Sequence, residues 1–236
     1  MILGKIYNKI KSKIQLRKFS YASKLDISKY SKILILAPHP DDESIGCGGI
    51  MLIHDNVDVI CITDGSLGIP SMPKSEVVEI RKNEFKRATD YANINSVYFL
   101  NIPDGKINEN WKIFKSINFK KYDLILTPNI NDQHIDHYYT SKFVAKSIKN
   151  KLFVSNSKIA MYEVWNPISI PNKFIDISKI VEKKKELIKF HKSQCKIIDY
   201  STRIIALNHY RGMSNNVKYS EVYKLFNQKD YLKLFY

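Results

Sequence analysis

Within five consecutive positions, His39, Pro40, Asp41, Asp42 and Glu43, the chain places one imidazole and three carboxyl groups. Neutral imidazole and carboxylate oxygen are good ligands for zinc and similar divalent ions. His39 and Asp42, three apart in a turn, can reach one metal from the same side. A third ligand has to come from elsewhere. The segment "HIDH" at 134–137 offers His134 and His137, which share a face if it starts a helix. Three protein ligands with open positions describe a catalytic zinc site. Asp41 points differently from Asp42 and is free to act as a base. Water on such an ion ionises near a pKa of about 7, so a neighbouring carboxylate can deprotonate it for attack on a carbonyl. The second His would stabilise the oxyanion or protonate the departing amine. Asp136 is close enough to orient a His through its other ring nitrogen.

These residues need elements to hold them, and the pattern around them supplies a set. From Ser31 onward short apolar runs alternate with helical periodicity. "KILILA" (32–37) reads as a strand buried on both faces, and "GGIMLIH" can open the helix behind it. Strands are expected at 57–63, 96–100, 123–127 and 158–165, and helices at 74–92, from about Tyr138 to Lys149, and at 178–192. This alternation predicts an α/β, Rossmann-like fold, a mostly parallel sheet flanked by helices. Ligands bind beyond the carboxyl ends of the strands in such sheets. His39, Asp41 and Asp42 follow the first of these strands, Asp64 the second, Asp104 the third and "NDQHIDH" the fourth, while Glu163 and Trp165 close the next. Convergence of separate segments on one rim says more than any one residue. G-x-G-x-x-G would need Gly at Met51, so the dinucleotide fingerprint fails. The glycines of "GCGG" are instead expected to permit a tight turn into the helix. His54, His191 and His209 lack comparable company and are expected as surface or core residues.

Hydrophobic content of 44% with 12% aromatics is enough for a packed core in 236 residues, so global disorder is excluded. The three cysteines, Cys47, Cys61 and Cys195, make no CxxC pair, which fits a reducing compartment. A net charge of +15 raises a nucleic-acid reading, but only five of the 38 basic residues are Arg, the usual phosphate fork. The lysines are scattered through the chain, and a solvated basic surface is the simpler account.

Residues 1–30 differ from the rest and are expected as an N-terminal extension to a domain at 31–236. Leu3, Ile6, Tyr7, Ile10 and Ile14 recur at helical spacing, basic residues fill the other faces, and no acid precedes Asp26. The apolar run is too broken for a signal peptide or a membrane span. Such a helix can lie on an anionic membrane surface or pack its stripe on the domain.

The segments "PHPDDESIGCGG", "TDGSLG", "RKNEFKRA", "IPDG" and "HIDH", in that order, resemble the PIG-L/LmbE-like family of zinc-dependent N-acetylglucosaminyl deacetylases. The similarity runs from about Lys32 into the C-terminal region, where "YEVW", "FIDIS" and "HKSQ" resemble family segments more weakly. The resemblance implies a metal at His39, Asp42 and His137, zinc or another divalent ion. It implies Asp41 as general base, His134 as the residue that stabilises the transition state and Asp136 as its orienting partner. Arg81 and Asp104 match positions that hold the sugar. The chain departs from the family in having Ser66 where many members carry Glu, and Ile135 where Pro is frequent.

The expected function is therefore metal-dependent N-deacetylation of an N-acetylglucosamine-type amino-sugar conjugate to free amine and acetate. It would act in the cytoplasm or at the inner face of the membrane. Two rivals are a metal-dependent hydrolase of another bond in a sugar conjugate and a basic nucleic-acid-binding module. Many phosphoesterases use two metals, and only one candidate metal site is evident here.

Overall fold

A computed structural model describes residues 22–236. The basic apolar stripe expected between Leu3 and Lys18 lies outside the described residues. Among the described residues eight strands form one sheet: β1 (Ser23–Lys24), β2 (Ile33–Ala37), β3 (Val57–Thr63), β4 (Ser96–Ile102), β5 (Leu124–Pro128), β6 (Lys158–Tyr162), β7 (Lys173–Asp176) and β8 (Ser220–Asn227). Their order is β1-β7-β8-β6-β5-β2-β3-β4. All neighbours pair in parallel except β8, which runs antiparallel to both β6 and β7. The α/β, mostly parallel architecture read from the periodicity is the one observed. The sheet starts at Ser23, upstream of Ser31.

The helices are α1 (Asp42–Ile53), α2 (Lys74–Tyr91), α3 (Trp111–Phe114), α4 (Ile135–Lys149), α5 (Val181–Lys189), α6 (Lys192–Cys195), α7 (Tyr200–Asn215) and α8 (Gln228–Leu232). They cover both faces, and the central strands show why. Ile33, Ile35 and Ala37 of β2 enter a core with Ile50 of α1, Phe85 of α2, Leu187 of α5 and Ile204 of α7. Leu34 and Leu36 enter a second core with Phe114 of α3, Val144 of α4 and Tyr231 of α8. The two-residue period of a strand thus divides one apolar run between two cores. Burial of each such side chain contributes about 1.5–3 kcal/mol. Asp58 is buried in β3, where its Oδ2 meets Lys32 Nζ at 2.9 Å and accepts the Tyr122 hydroxyl at 2.9 Å, while its Oδ1 has no hydrogen-bond partner among the described residues.

Several details differ from the sequence reading. Helix α1 begins at Asp42, so Gly46, Gly48 and Gly49 lie inside it and form no turn. They permit close packing instead. A Cβ on Gly49 would stand 2.6 Å from Ile177 Cγ2 and 2.7 Å from Glu221 Oε2, and one on Gly46 would enter the Tyr162 ring. The strand expected to reach Trp165 ends at Tyr162, because Glu163 turns off the sheet to pair with Arg211 and accept the Ile168 N–H. Strands β7 and β8 had no counterpart among the expected elements.

The chain leaves β2 toward β3 and β4 on one side and returns to place β5 and β6 on the other. The order reverses between β2 and β5, which opens a crevice at their carboxyl ends. Both histidine-bearing segments fall at that crevice.

Candidate active site

Asp41 and Asp42 stand at the start of α1, just beyond the end of β2. The backbone of Asp41 adopts φ 149° and ψ −25°, a conformation that a residue with a Cβ rarely takes. Four contacts hold it there. Its carbonyl accepts the N–H groups of Ser44 (3.1 Å) and Ile45 (3.0 Å), its own N–H donates to Glu43 Oε2 (3.1 Å), and Arg81 Nη2 lies 3.3 Å from Asp41 Oδ2. Across the crevice His134 is the N-cap of α4, and its Nδ1 accepts the Asp136 N–H at 3.2 Å. A helix beginning here, one turn before Tyr138, is what puts His137 on its first turn.

The eight residues singled out from the sequence converge. His39 Nδ1, Asp42 Oδ2 and His137 Nε2 form a near-equilateral triangle with sides of 3.3, 3.2 and 3.3 Å. Ligands about 2.0–2.1 Å from a tetrahedral ion stand about 3.3–3.4 Å apart, so these three atoms fit one. The other nitrogen of His39, Nε2, faces Asp104 Oδ1 (3.2 Å) and Asp136 Oδ2 (3.3 Å), while Asp132 Oδ2 lies 3.3 Å from His137 Nδ1. Carboxylates behind both imidazoles are the usual support of a metal-binding His. Wider groupings of potential ligands, His39–His134–His137 and His39–Asp104–His134–Asp136, overlap this centre.

The electrostatics call for positive charge inside the triangle. Burial disfavours the charged imidazole, yet Asp104, Asp136 and Asp42 hold His39 well above its ordinary value. Against the same burial, Asp42 and Asp132 raise His137 to about 9. Asp42 is held well below the usual carboxylate range, its burial outweighed by His137 and His39. Two buried imidazoles here either take up protons or share a cation in their place, and the donor set suits a divalent ion.

Asp41 and His134 differ from that set. Burial pushes the Asp41 carboxyl up to about 6, although Arg81 opposes the shift. Burial, with the neighbouring His39 and His137, holds His134 below its ordinary value. With Nδ1 accepting a backbone N–H, neutral His134 carries its proton on Nε2.

A cavity of about 400 Å³ opens over this floor. Asp104 lines it while accepting the Leu67 N–H (3.1 Å). Arg81 also lines it, but its Nη atoms donate to Gly65 O and Pro40 O at 2.9 Å each, in addition to facing Asp41. The Asp136 carboxylate accepts the Gly105 (2.8 Å) and Ile107 (3.3 Å) N–H groups and faces His39, so Asp136 meets His134 through its backbone N–H and not through its carboxylate.

The sequence reading passed over five residues of this region. Asp132 supports His137 and, through Oδ1, accepts the His134 N–H at 3.0 Å. Glu43 is buried against His191, with Oε1 to Nε2 at 2.9 Å. Gln194 and Tyr200 line the cavity. The "HKSQ" segment, 191–194, was the one signal for His191 and Gln194. Cys47 and Cys61 are buried, which pushes both thiols well above their ordinary value. Among the described residues no helix is long and apolar enough to cross a membrane.

Comparison with known proteins places this geometry among relatives. Residues 34–148 match the family model described as PIG-L: GlcNAc-PI de-N-acetylase. Diacetylchitobiose deacetylase of Thermococcus kodakarensis is 26% identical over 218 residues, which span 80% of this chain and 81% of that protein. Probable N-acetyl-alpha-D-glucosaminyl L-malate deacetylase 2 of Bacillus anthracis is 25% identical over 214 residues, 80% of this chain and 91% of that protein. The structure of N,N′-diacetylchitobiose deacetylase from Pyrococcus horikoshii superposes with a TM-score of 0.78 at 24% identity, covering 97% of this chain and 94% of that one.

Proposed function

We propose that this chain, whose residues 34–148 match the PIG-L family model, is a deacetylase of that family and hydrolyses the acetamide of an N-acetylglucosamine-type unit in an amino-sugar conjugate, releasing acetate and a free amine. In this reading His39, Asp42 and His137 hold a divalent ion, and two imidazoles with one carboxylate favour zinc. Once bound, the ion supplies a Lewis acid for the carbonyl oxygen and lowers the pKa of water in contact with it.

The chain's own groups do the rest. Asp41 takes a proton from the attacking water; a carboxyl near 6 is ionised at neutral pH yet more basic than an ordinary aspartate. The same proton is the one the departing amine needs, so Asp41 serves both halves of the reaction. His134 donates its Nε2–H to the oxygen that gains charge as the carbonyl becomes tetrahedral, and as a neutral donor it needs no proton exchange at that moment. Asp136 fixes His134 through its backbone N–H and His39 through its carboxylate. Asp104 accepts a sugar hydroxyl on the cavity wall. Arg81 steadies Asp41 and the Gly65 turn against the sugar.

The observation that carries this reading is the donor triangle of 3.2–3.3 Å sides directly under a cavity that also presents Asp41 and His134. Its test is acetate release by zinc-loaded protein from a panel of N-acetylglucosamine conjugates. Chelation should abolish the release and added zinc restore it. No acetate from any conjugate would overturn the reading.

A further inference from the structure

The cavity is polar at its floor and apolar at its mouth. Leu67, Ile135 and Trp165 line it while remaining 50%, 54% and 47% exposed, each from a different connection of the sheet. Trp165 is firmly seated. Its backbone N–H donates to Asp132 Oδ2 (3.0 Å), and its indole meets the Tyr200 ring edge-to-face, with centroids 5.8 Å apart and planes at 70°.

The charge of this lining runs opposite to that of the whole chain. Despite the net +15, Arg81 is the one Lys or Arg among the described residues that line the cavity. It is 3% exposed and already committed to two backbone carbonyls and Asp41. Asp41, Asp42 and Asp104 stand against it. Three carboxylates against one guanidinium leave two negative charges, which a divalent ion would bring only to neutrality. Among the described residues lining the cavity, a phosphate or carboxylate on the group attached to the sugar would find no free cation to replace its hydration.

We propose that the second moiety of the substrate is an uncharged sugar ring packed on Trp165. The enzyme then selects neutral N-acetylated oligosaccharides over conjugates whose second moiety is anionic, and Trp165 is the residue that sets this preference. The inference rests on the deacetylase reading above. One face of a pyranose presents C–H groups, and the negative face of an aromatic ring attracts them. An alkyl chain would suit Leu67 and Ile135 equally well, but would strip water from Gln194 and Asp104 on the same walls and return no hydrogen bond.

The test compares kcat/KM for N-acetylglucosamine, N,N′-diacetylchitobiose, N-acetylglucosaminyl malate, UDP-N-acetylglucosamine and octyl N-acetylglucosaminide, using zinc-loaded protein. The disaccharide should exceed each of the others by about 10-fold, the scale on which one good apolar contact discriminates. Trp165→Ala should shrink its advantage over the monosaccharide to about 2-fold, and Trp165→Phe, which keeps an aromatic face, should preserve most of it. Absence of turnover on all five overturns the deacetylase reading itself. Turnover of an anionic conjugate or the octyl glycoside at or above that of the disaccharide overturns this inference alone. So does an undiminished disaccharide advantage in Trp165→Ala.

Discussion

Glu43 accepts the backbone N–H of Asp41, two residues earlier, at 3.1 Å, and so helps to hold Asp41 in its φ 149° conformation. Such a backbone costs on the order of 1–3 kcal/mol and persists where surrounding contacts over-determine it. Here the first turn of α1, Glu43 and Arg81 all act on the one residue proposed to move a proton.

Replacing Asp41 by Asn keeps the size of the side chain and the backbone contacts while removing the base. Metal content should be unchanged and turnover should fall by about 10²-fold or more, the usual scale of general-base loss. Metal analysis and kcat on one preparation decide it. An Asn variant with near-normal kcat would move the base elsewhere.

The triangle makes a separate prediction. Removing one of three ligands breaks a set whose affinity depends on completeness, so His39→Ala and His137→Ala should lose most of their zinc on dialysis against a weak chelator. Asp132→Asn, which weakens the group 3.3 Å behind His137, should cost about 10–100-fold in zinc affinity. Equal zinc retention by wild type and His39→Ala would dismiss the triangle as the metal site.

The sequence was most readable where chemistry and strand ends coincide. "HPDD" after an all-apolar run pointed to His39 and Asp42, because spacing within a short segment limits where side chains go, whereas "HIDH" left His134 and His137 as alternatives for the third corner and only the family resemblance chose His137. What stayed hidden depends on partners far along the chain. Glu43 lies within the same motif, yet nothing local says that its partner is His191, 148 positions away. The glycines of α1 were misjudged for the same reason. Their cause is the approach of Ile177, Tyr162 and Glu221 from other elements. Strand β8 carries Glu221, a buried charge that makes sense only beside Lys184.

That pair gives a stability prediction. Lys184 is fully buried, with Nζ 2.5 Å from Glu221 Oε1 and 2.9 Å from Asn208 Oδ1. Lys184→Met leaves the Glu221 charge buried beside the Gly49 N–H and the Tyr223 hydroxyl alone, and should cost about 3–5 kcal/mol in urea unfolding. Adding Glu221→Gln should recover part of the loss, since a neutral amide needs no counter-charge. Gly49→Ala, which pushes a methyl against Ile177 and Glu221, should cost about 1–3 kcal/mol. A double variant no more stable than Lys184→Met would mean that the lost lysine acts through packing.

The Glu43–His191 contact should appear in the pH dependence of stability. His191 is buried with Nε2 2.9 Å from Glu43 and 3.0 Å from Ser44 Oγ. Burial disfavours its charged form, but Glu43, assisted by Asp41 and opposed by Arg81, raises its pKa above the ordinary value. A group raised on folding binds its proton more tightly in the native state. Its contribution is therefore complete below the unfolded value of about 6.5 and is lost as pH climbs through the folded one. His191→Gln cannot hold that proton. The difference in unfolding free energy between wild type and His191→Gln, both measured in urea with the same metal, should be largest near pH 6 and shrink toward pH 9. Comparing the two proteins at each pH cancels the titration of shared groups that do not interact with His191, while Glu43 and Asp41 continue to interact with it. A difference that stays flat across that range, or grows with pH, would show that His191 is neutral in the folded protein and that Glu43 is held by its other hydrogen bonds.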